Sequence, residues 1–485
     1  MMSMKKFYIT TAIPYVNANP HIGFALELVQ ADALARIHRQ LGDDVFFLTG
    51  VDENSLKNVQ AAEKAGIETR KFVDQNSQRF VDLTKALNIS NEDFIRTTSK
   101  KHFVGSQKLW SASNQDDIYK KSYKGLYCVG CEQFYTEKEL VDGKCPEHLK
   151  EPEVVEEENY FFKLSNYQDR LEKLISSDEY KIVPETRKNE VLSFIRSGLE
   201  DFSISRSQAR ARNWGVPVPG DESQVMYVWY DALSNYITGL DYDSEGRRFK
   251  KYWPADVHAI GKGIIRFHAI YWPAMLMSAN LSLPKTLFVH EYINVDGTKM
   301  SKSLGNVVDP FLVIEKYGAE ATRYYLLRHI NPFRDGDFSD QKFVEAYNAD
   351  LANGLGNLVS RVSGLIEQND LKIDWKKVSQ AKKDTQVNIK KEFNQIDEFR
   401  FDEQLKFIWS LISKVDGDIS ENKPWELAKN GQADRLSEVL TNAVADILLV
   451  GEMLIPYLPE TAEKIQKIFE AKKIKKVEAL FPRLK

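Results

Sequence analysis

Two pairs of side chains that bind metals well stand close together in the chain and use every cysteine it contains. Cys128 and Cys131 form a C-x-x-C pair, and Cys145 and His148 form a second pair after a short loop. Three thiolates and one imidazole at this spacing make a tetrahedral ligand set suited to Zn²⁺. A closed site of four protein ligands stabilises a fold and does not activate water, so we expect one structural zinc ion here.

A second candidate group lies where a loop, marked by Pro14 and Pro20, enters a predicted helix at His21-Ile22-Gly23-Phe24. The free N–H groups at a helix start attract anions. Gly23 would let a nucleotide come close to the backbone, and His21 can donate a hydrogen bond to a phosphate. A single histidine beside a turn is more often structural, so this segment alone does not establish a phosphate site.

A third group, Lys299-Met300-Ser301-Lys302-Ser303, lies between Gly297 and Gly305. Lysine supplies a flexible positive charge, and hydroxyl groups add hydrogen-bond donors, so this loop has the chemistry of a phosphate clamp. Taken alone, a K-x-x-K segment is more often a solvated surface loop.

The elements around these groups alternate near the start of the chain. The pattern predicts a strand over Phe7–Thr11, a helix from about Ile22 to Gln40 and a strand over Asp44–Leu48. Strand, helix and strand in this order indicate a parallel sheet, in which ligands bind beyond the carboxyl ends of the strands. Ala12–Tyr15 and Asp52 lie at such ends.

The pattern changes twice more along the chain. Short aromatic strands and all the cysteines fall between about 118 and 225, which indicates an inserted domain. The alternation of strands and helices resumes at Gln224–Tyr230, and buried strands are predicted at Val257–Ile260 and Thr286–His290. Beyond about residue 335 only helical spacing remains, as in Leu405, Ile408, Trp409 and Ile412. We predict a first catalytic half over 1–117, an insert over 118–225, a second half over 226–335 and a helical domain over 336–485.

Composition excludes several classes of protein. The 485 residues are 43% hydrophobic and 28% charged, which is ordinary for a globular chain and excludes wholesale disorder. The net charge of −4 excludes a globally basic nucleic-acid binder but leaves room for a local basic face. No stretch approaches the roughly 20 apolar residues that a membrane-crossing helix needs. Three cysteines make no disulfide scaffold, so we expect a reducing, cytoplasmic location.

Pro20–Gly23 and Lys299–Ser303 together resemble the HIGH and KMSKS signatures of class I aminoacyl-tRNA synthetases. Further segments resemble the methionyl-tRNA synthetases within that class. These segments are Thr10–Tyr15, Gly50–Glu53, Phe94–Thr98, Glu157–Phe162, Val228–Leu233, Arg266–His268, Asn357–Arg361 and Asn422–Trp425. The resemblance therefore runs from about Phe7 into the C-terminal helices. The zinc spacing fits a one-knuckle form of that family. The implied fold is α/β, with a split Rossmann-like parallel sheet, a zinc-bearing insert and a C-terminal all-α helical bundle.

The resemblance implies that ATP, with Mg²⁺ on its phosphates, activates L-methionine to an adenylate. Methionine would lie among Ala12, Ile13, Tyr15, Trp229, Leu233, Tyr236 and His268, with its amino group on Asp52. ATP would be bound by His21, Gly23, Phe24, Lys299, Met300, Ser301, Lys302 and Ser303. Of these, His21, Gly23, Lys299 and Lys302 would serve catalysis, with His21 and the two lysines stabilising the charge that grows on the leaving pyrophosphate. Read without the resemblance, Trp229 and Tyr236 are ordinary core aromatics.

The resemblance also implies a tRNA partner. Trp425 would stack on an anticodon base, while Asn357 and Arg361 would bond base edges. Without the resemblance, Trp425 is expected to pack inside the bundle. The insert is small for a separate editing domain, so we expect none. The chain ends at Lys485, soon after the bundle and without an added tRNA-binding domain, so we expect a monomer.

Three positions depart from the family pattern. Phe24 replaces the second histidine of HIGH, Asn54 replaces the histidine of D-E-H, and Gly263 stands where an acidic residue is common. These departures keep two alternatives open: another class I synthetase, and a catalytically weakened tRNA-binding relative. A nucleotidyltransferase that does not use tRNA is disfavoured, because it would have no use for the helical C-terminal domain.

Overall fold

The structure, a computed structural model, describes residues 5–128, 133–135, 137–146, 149–300, 305–394 and 396–485. In chain order its strands are β1 (Lys6–Thr11), β2 (Asp44–Val51), β3 (Asp93–Arg96), β4 (Ile118–Cys128), β5 (Gln133–Tyr135), β6 (Glu153–Phe162), β7 (Lys181–Val183), β8 (Phe202–Ser203), β9 (Ser205–Ser207), β10 (Pro217–Val218), β11 (Asp221–Met226), β12 (Val257–Gly261), β13 (Thr286–His290), β14 (Ile293–Val295), β15 (Thr298–Lys299) and β16 (Gly336–Phe338).

The α-helices in chain order are α1 (Ile22–Gln40), α2 (Leu56–Ala65), α3 (Thr69–Ala86), α4 (Lys100–Ala112), α5 (Gln168–Ser176), α6 (Glu185–Arg196), α7 (Val228–Leu233), α8 (Asn235–Thr238), α9 (Arg247–Tyr252), α10 (Trp272–Ser278), α11 (Pro310–Tyr317), α12 (Ala319–Arg328), α13 (Asp340–Ala346), α14 (Asn357–Gln368), α15 (Trp375–Phe393), α16 (Phe401–Asn422), α17 (Pro424–Lys429), α18 (Ala433–Leu454) and α19 (Pro459–Phe469). Phe267–Tyr271 and Tyr347–Gly356 are π-helical.

The chain divides into two compact units. The first comprises Met1–Pro20, Leu41–Lys85 and Ser90–His290, and the second comprises His21–Gln40, Ala86–Ile89 and Glu291–Lys485. Each unit therefore collects segments that lie far apart in the sequence, and the boundaries of the four predicted domains stay a prediction.

The first unit is built on a parallel sheet with the strand order β3-β2-β1-β12-β13-β7. All its neighbouring strands run parallel. The four central strands β1, β2, β12 and β13 are rich in β-branched and aromatic residues and are buried along almost their whole length, as is typical of a parallel sheet covered on both faces. The central neighbours β1 and β12 come from either side of the region 118–225, so the prediction of a split parallel sheet is confirmed.

Two details of the first unit differ from the pattern read in the sequence. Strand β7, inside the predicted insert, pairs with β13 and completes the edge of the main sheet. Three residues carry too little periodicity to reveal such a strand. The segment Gln224–Tyr230 is divided, since β11 ends at Met226 and α7 begins at Val228. The other strands of this region form two antiparallel sheets, β5-β4-β6-β8 and β10-β11-β9.

The second unit is mostly helical, as the spacing beyond residue 335 predicts. One prediction for it is wrong: β16 lies beyond residue 335 and pairs with β14 in a small sheet with β15. This strand is too short for its alternation to be visible in the sequence. Helix α18 packs against α15, α16 and α19. Among the residues that the structure describes, no helix combines the length and the apolar character that a membrane crossing needs.

Candidate active site

In the first unit, the predicted methionine-binding residues begin where β1 and β2 end. The Ala12 N–H donates to the Ala259 carbonyl at 3.1 Å, beyond the point where β1 leaves β12. The Asp52 N–H donates to the Pro14 carbonyl at 2.9 Å, and Tyr15 and Asp52 form an isolated parallel bridge. In a doubly wound sheet, the crevice where the chain runs to opposite sides is the usual ligand site.

Aromatic rings line this part of the unit. Trp229 on α7 stacks on Phe267 with ring centroids 3.7 Å apart and planes only 6° from parallel. His268 meets the edge of Trp229 at 6.4 Å, and Tyr15 lies 6.5 Å from Trp229. The stack holds the indole in one orientation, which would give the predicted methionine pocket a defined wall.

Tyr236 and His268 are bonded to each other. The Tyr236 hydroxyl lies 2.7 Å from His268 Nε2, and His268 Nδ1 lies 2.9 Å from the Ile264 carbonyl. Because a carbonyl only accepts, Nδ1 carries the proton and Nε2 accepts from the tyrosine. Burial lowers the pKa of His268 to about 4, so the imidazole is neutral near pH 7. A neutral, aromatic surface of this kind suits an uncharged thioether.

Most of the remaining predicted pocket residues join the same apolar cluster. Ala12, Leu233 and Tyr236 are buried in it, and Tyr15 and Trp229 pack against it. Ile13 packs instead against a second cluster that contains Tyr8, Phe46 and Leu48.

The predicted phosphate-binding residues of the helix start lie in the second unit. The Gly23 N–H donates to His21 Nδ1 at 3.1 Å, so the histidine caps the first turn of α1 and its proton lies on Nε2. A Cβ at position 23 would lie 3.0 Å from the His21 ring and 3.7 Å from Met300 Cε. Glycine at this position therefore lets the ring lie over the helix start. Phe24 is buried.

Of the lysine-rich loop, Lys299 and Met300 are described, whereas Ser301, Lys302 and Ser303 lie outside the described residues. Lys299 is exposed, with its ammonium group 5.4 Å from the centre of the Tyr292 ring. Its carbonyl accepts from Asn306 Nδ2 at 3.3 Å. An exposed lysine on a flexible stem has the charge and the reach to meet a ligand phosphate.

Two of the four predicted zinc ligands can be placed. Cys128 and Cys145 are buried in one small cluster with Tyr135, while Cys131 and His148 lie outside the described residues. The fold thus brings together one cysteine from each predicted pair, as the proposed ligand set requires.

The predicted anticodon-binding residues lie on two helices of the second unit, α14 and α17. Trp425 follows Pro424 at the start of α17 and is 46% exposed, so it does not pack inside the bundle. Asn357 opens α14 and is exposed. One turn later, Arg361 donates to Asp416 Oδ1 on α16 at 2.6 Å. Exposed aromatic and amide groups of this kind suit contacts with unpaired bases.

Sequence reasoning missed several side chains that support the pocket. The Tyr8 hydroxyl donates to the Tyr236 carbonyl at 2.6 Å, and Phe267 covers Trp229. Thr97 donates to Asp52 Oδ1 at 3.2 Å. Phe267 and Thr97 fall within segments that resemble the family, so they could have been singled out there. Nothing in the sequence signals the role of Tyr8, because its contact joins β1 to α8, which lie far apart in the chain.

Comparison with known proteins agrees with this geometry. Residues 7–151 and 148–363 match the family model for class I tRNA synthetases (M). The chain is 46% identical to the methionine–tRNA ligase of Clostridium acetobutylicum over 96% of its own length and 73% of the relative. It is 44% identical to the Brucella melitensis ligase over 97% of this chain and 93% of that one.

Solved structures of methionyl-tRNA synthetases are also similar to this chain. The methionyl-tRNA synthetase of Mycobacterium tuberculosis, in complex with methionyl-adenylate, superimposes with a TM-score of 0.89 at 39% identity over 99% of both chains. An apo form of that enzyme matches with a TM-score of 0.83. Together with the family match, these likenesses show that the chain belongs to the class I tRNA synthetases, in their methionyl-tRNA synthetase branch.

Proposed function

We propose that this chain uses ATP to join L-methionine to its tRNA through a methionyl-adenylate, releasing pyrophosphate and then AMP. The observation that carries the proposal is the neutral aromatic pocket around Trp229, Tyr236 and His268, which stands beside Asp52 in a chain of this family. The related ligases and the related structure with bound methionyl-adenylate support the same chemistry.

Methionine binding is assigned to the first unit. The Asp52 carboxylate binds the amino group through a charge-assisted hydrogen bond. Trp229, Leu233 and Tyr236 enclose the side chain, where sulfur–ring contacts add a modest gain. Leucine and isoleucine differ from methionine mainly in shape, so selectivity depends on the fixed orientation of these walls, and a misplaced methylene is worth only ~1–3 kcal/mol.

The activation step needs positioning and charge stabilisation, and no covalent enzyme intermediate. The methionine carboxylate attacks the α-phosphorus of Mg²⁺-ATP, and the bond to the β,γ-pyrophosphate breaks. His21, through its Nε2 proton, and Lys299 and Lys302 stabilise the negative charge on the leaving group. The carbonyl carbon of the adenylate is then attacked by a terminal ribose hydroxyl of the tRNA, with AMP as the leaving group.

A structural zinc ion is a separate proposal. Cys128, Cys131, Cys145 and His148 would hold one Zn²⁺, and the burial of Cys128 beside Cys145 fits this assignment. The ion would supply stability to the end of the insert and take no part in the reaction. Removing it with a chelator is expected to lower the thermal stability of the protein and to release close to one zinc ion per chain, measured by atomic absorption.

For the nucleic-acid partner, Trp425, Asn357 and Arg361 are assigned to the anticodon of the methionine tRNA. A monomer and a cytoplasmic location complete the proposal. Light scattering tests the oligomeric state, and a dimer at micromolar concentration would contradict it.

The experiment that tests the activity is ATP–pyrophosphate exchange in the absence of tRNA. We expect exchange with methionine and little with leucine, isoleucine or valine at equal concentration. Exchange with one of the other amino acids would assign the chain to a different substrate. A folded protein that gives no exchange with any of the four would overturn the proposed activation step and leave a tRNA-binding role.

A further inference from the structure

The run Asp52-Glu53-Asn54 follows β2, and each of its side chains has a different set of partners. Asp52 Oδ1 accepts from the Asn54 N–H at 3.0 Å and from Thr97 Oγ1 at 3.2 Å. Glu53 turns away from this group and accepts from Arg96 Nε at 2.7 Å. Asp52 is therefore oriented by the backbone of Asn54, so a shift of Asn54 would shift the carboxylate.

The Asn54 side chain reaches a helix that begins far along the chain. Its Nδ2 donates to Asp231 Oδ2 at 2.7 Å and to the Thr97 carbonyl at 3.1 Å. Asp231 lies on α7, between the predicted pocket residues Trp229 and Leu233. The Asn54 amide thus joins the segment that carries Asp52 to helix α7, which carries Trp229 and Leu233.

The other oxygen of Asp231 is bonded as well. His102 Nε2 donates to Asp231 Oδ1 at 2.6 Å, and His102 Nδ1 lies 2.7 Å from Thr238 Oγ1 on α8. His102 is fully buried and Asp231 is 1% exposed. Both carboxylate oxygens are therefore held away from water, where a lost bond costs more than it does at the surface.

We propose that Asn54 and Asp231 form a positioning pair that sets the spacing between Asp52 and the Trp229–Leu233 wall, and thereby the affinity of the pocket for methionine. The inference rests on the proposed function, since it assigns Asp52 to the amino group and α7 to the side chain. Methionine spans these two surfaces, so a small relative displacement weakens both contacts at once. The pair touches no reacting atom and acts only through its neighbours.

The pair also explains how this chain accommodates asparagine at position 54. The amide supplies the N–H donor that Asp231 needs, as a histidine ring would. Asn54 also lines a small cavity of about 30 Å³ beside Trp214 and Met226, so a larger ring at position 54 has room to extend. The departure from D-E-H is thus compatible with a complete hydrogen-bond network.

The test compares Asn54→Leu, which keeps the branched shape of the side chain but removes the donor, with Asn54→His, which keeps a donor. Pyrophosphate exchange with the full chain gives KM for methionine and for ATP separately. We expect Asn54→Leu to raise KM for methionine by about tenfold and KM for ATP by less than about twofold. Asn54→His is expected to stay within about threefold of the parent protein.

Asn331→Leu is the matched control. Asn331 Nδ2 donates to Asp402 Oδ2 at 2.9 Å in the second unit, so the variant removes an equivalent amide-to-carboxylate bond. It is expected to leave both KM values unchanged. Should Asn54→Leu not fold, Asp231→Asn replaces it, since the change keeps the shape of the side chain but removes the charge that Asn54 and His102 bond. The same selective rise in KM for methionine is expected.

Equal KM values in the variant and the parent would overturn the inference. So would KM values for methionine and ATP that rise together, because a general loosening of the site favours neither substrate. A loss of folded protein alone would lower the apparent kcat and leave both KM values unchanged. A parent protein without methionine-dependent exchange would instead refute the proposed function. Parental activity together with an unaffected variant would refute only the positioning pair.

Discussion

The two compact units hold their candidate functional side chains in opposite ways. In the first unit, Asp52, Tyr236 and His268 are buried, and each is bonded to another buried group. In the second unit, His21, Lys299 and Trp425 are exposed. A small substrate with an apolar side chain is selected by surfaces fixed before it arrives, whereas large charged substrates can be met by side chains at the surface.

This difference implies different consequences of mutation. A change in the buried group should lower methionine affinity and the free energy of unfolding together, because the same bonds serve both. A change in the exposed group should alter rate or tRNA charging with little effect on stability. Each variant below is therefore to be examined by kinetics and by thermal unfolding.

The largest effect is expected for Lys302→Ala, although Lys302 itself lies outside the described residues. In the proposed mechanism this lysine stabilises the leaving pyrophosphate, so loss of its positive charge should lower the rate of activation by about 100-fold, with KM for methionine almost unchanged. The control is Lys316→Ala, an exposed lysine paired with Asp340 in the same unit. An unchanged rate in Lys302→Ala would remove this lysine from the mechanism.

Trp425→Ala should come next. Base stacking on an aromatic ring is worth ~1–3 kcal/mol, so kcat/KM for aminoacylation should fall by about 10- to 100-fold, while pyrophosphate exchange stays at the parental rate. Trp375 is 41% exposed, compared with 46% for Trp425, which makes Trp375→Ala a matched control. Equal losses of aminoacylation in the two variants would show that the effect is not specific to Trp425, and would contradict its assignment to the anticodon.

A smaller effect is expected for Tyr236→Phe, which leaves His268 Nε2 without its donor. An unsatisfied buried acceptor costs ~1–3 kcal/mol, so thermal stability should fall. We expect about 1 kcal/mol of this loss to appear in methionine binding, because the imidazole loses its fixed orientation, so KM for methionine should rise by about fivefold. Tyr180→Phe is the control, because the equally buried Tyr180 hydroxyl donates to the backbone carbonyl of His268 at 3.0 Å. Tyr180→Phe should lose thermal stability and keep its KM for methionine. A similar rise in KM in both variants would show that the rise follows from lost stability and not from the Tyr236–His268 bond.

The smallest expected effect is a pH dependence of stability. Burial lowers the pKa of His268 from its ordinary value of 6.5 to about 4, so the unfolded chain binds a proton between these values and the folded chain does not. This contribution to stability is complete above pH 6.5 and is lost as the pH falls towards 4. From pH 7 to 5.5 it should decrease by about 1 kcal/mol, measured by urea unfolding.

His268→Gln should flatten this part of the pH profile. Burial also lowers the pKa of His258, so a residual slope of the same sign is expected in the variant. A profile identical to that of the parent protein would mean that His268 does not stay neutral in the fold.

Elements whose pattern is local could be predicted from the amino-acid sequence. The buried strands Phe7–Thr11 and Val257–Ile260 and the helix Ile22–Gln40 were predicted to within a residue or two. Their residue types repeat with the period of one structure over enough positions to exclude the other. The zinc-ligand spacing and the two signature segments are local in the same sense, because a few consecutive residues carry them.

Contacts between residues that lie far apart in the chain could not be predicted in this way and follow from the folded structure. It placed β7 at the sheet edge, joined Asn54 to Asp231 and brought Tyr8 to the carbonyl of Tyr236. It also left Trp425 at the surface, where an isolated tryptophan was expected to pack inside. These outcomes depend on strand order and helix packing, which arise from burying many apolar side chains at once, so no short segment of the sequence can encode them.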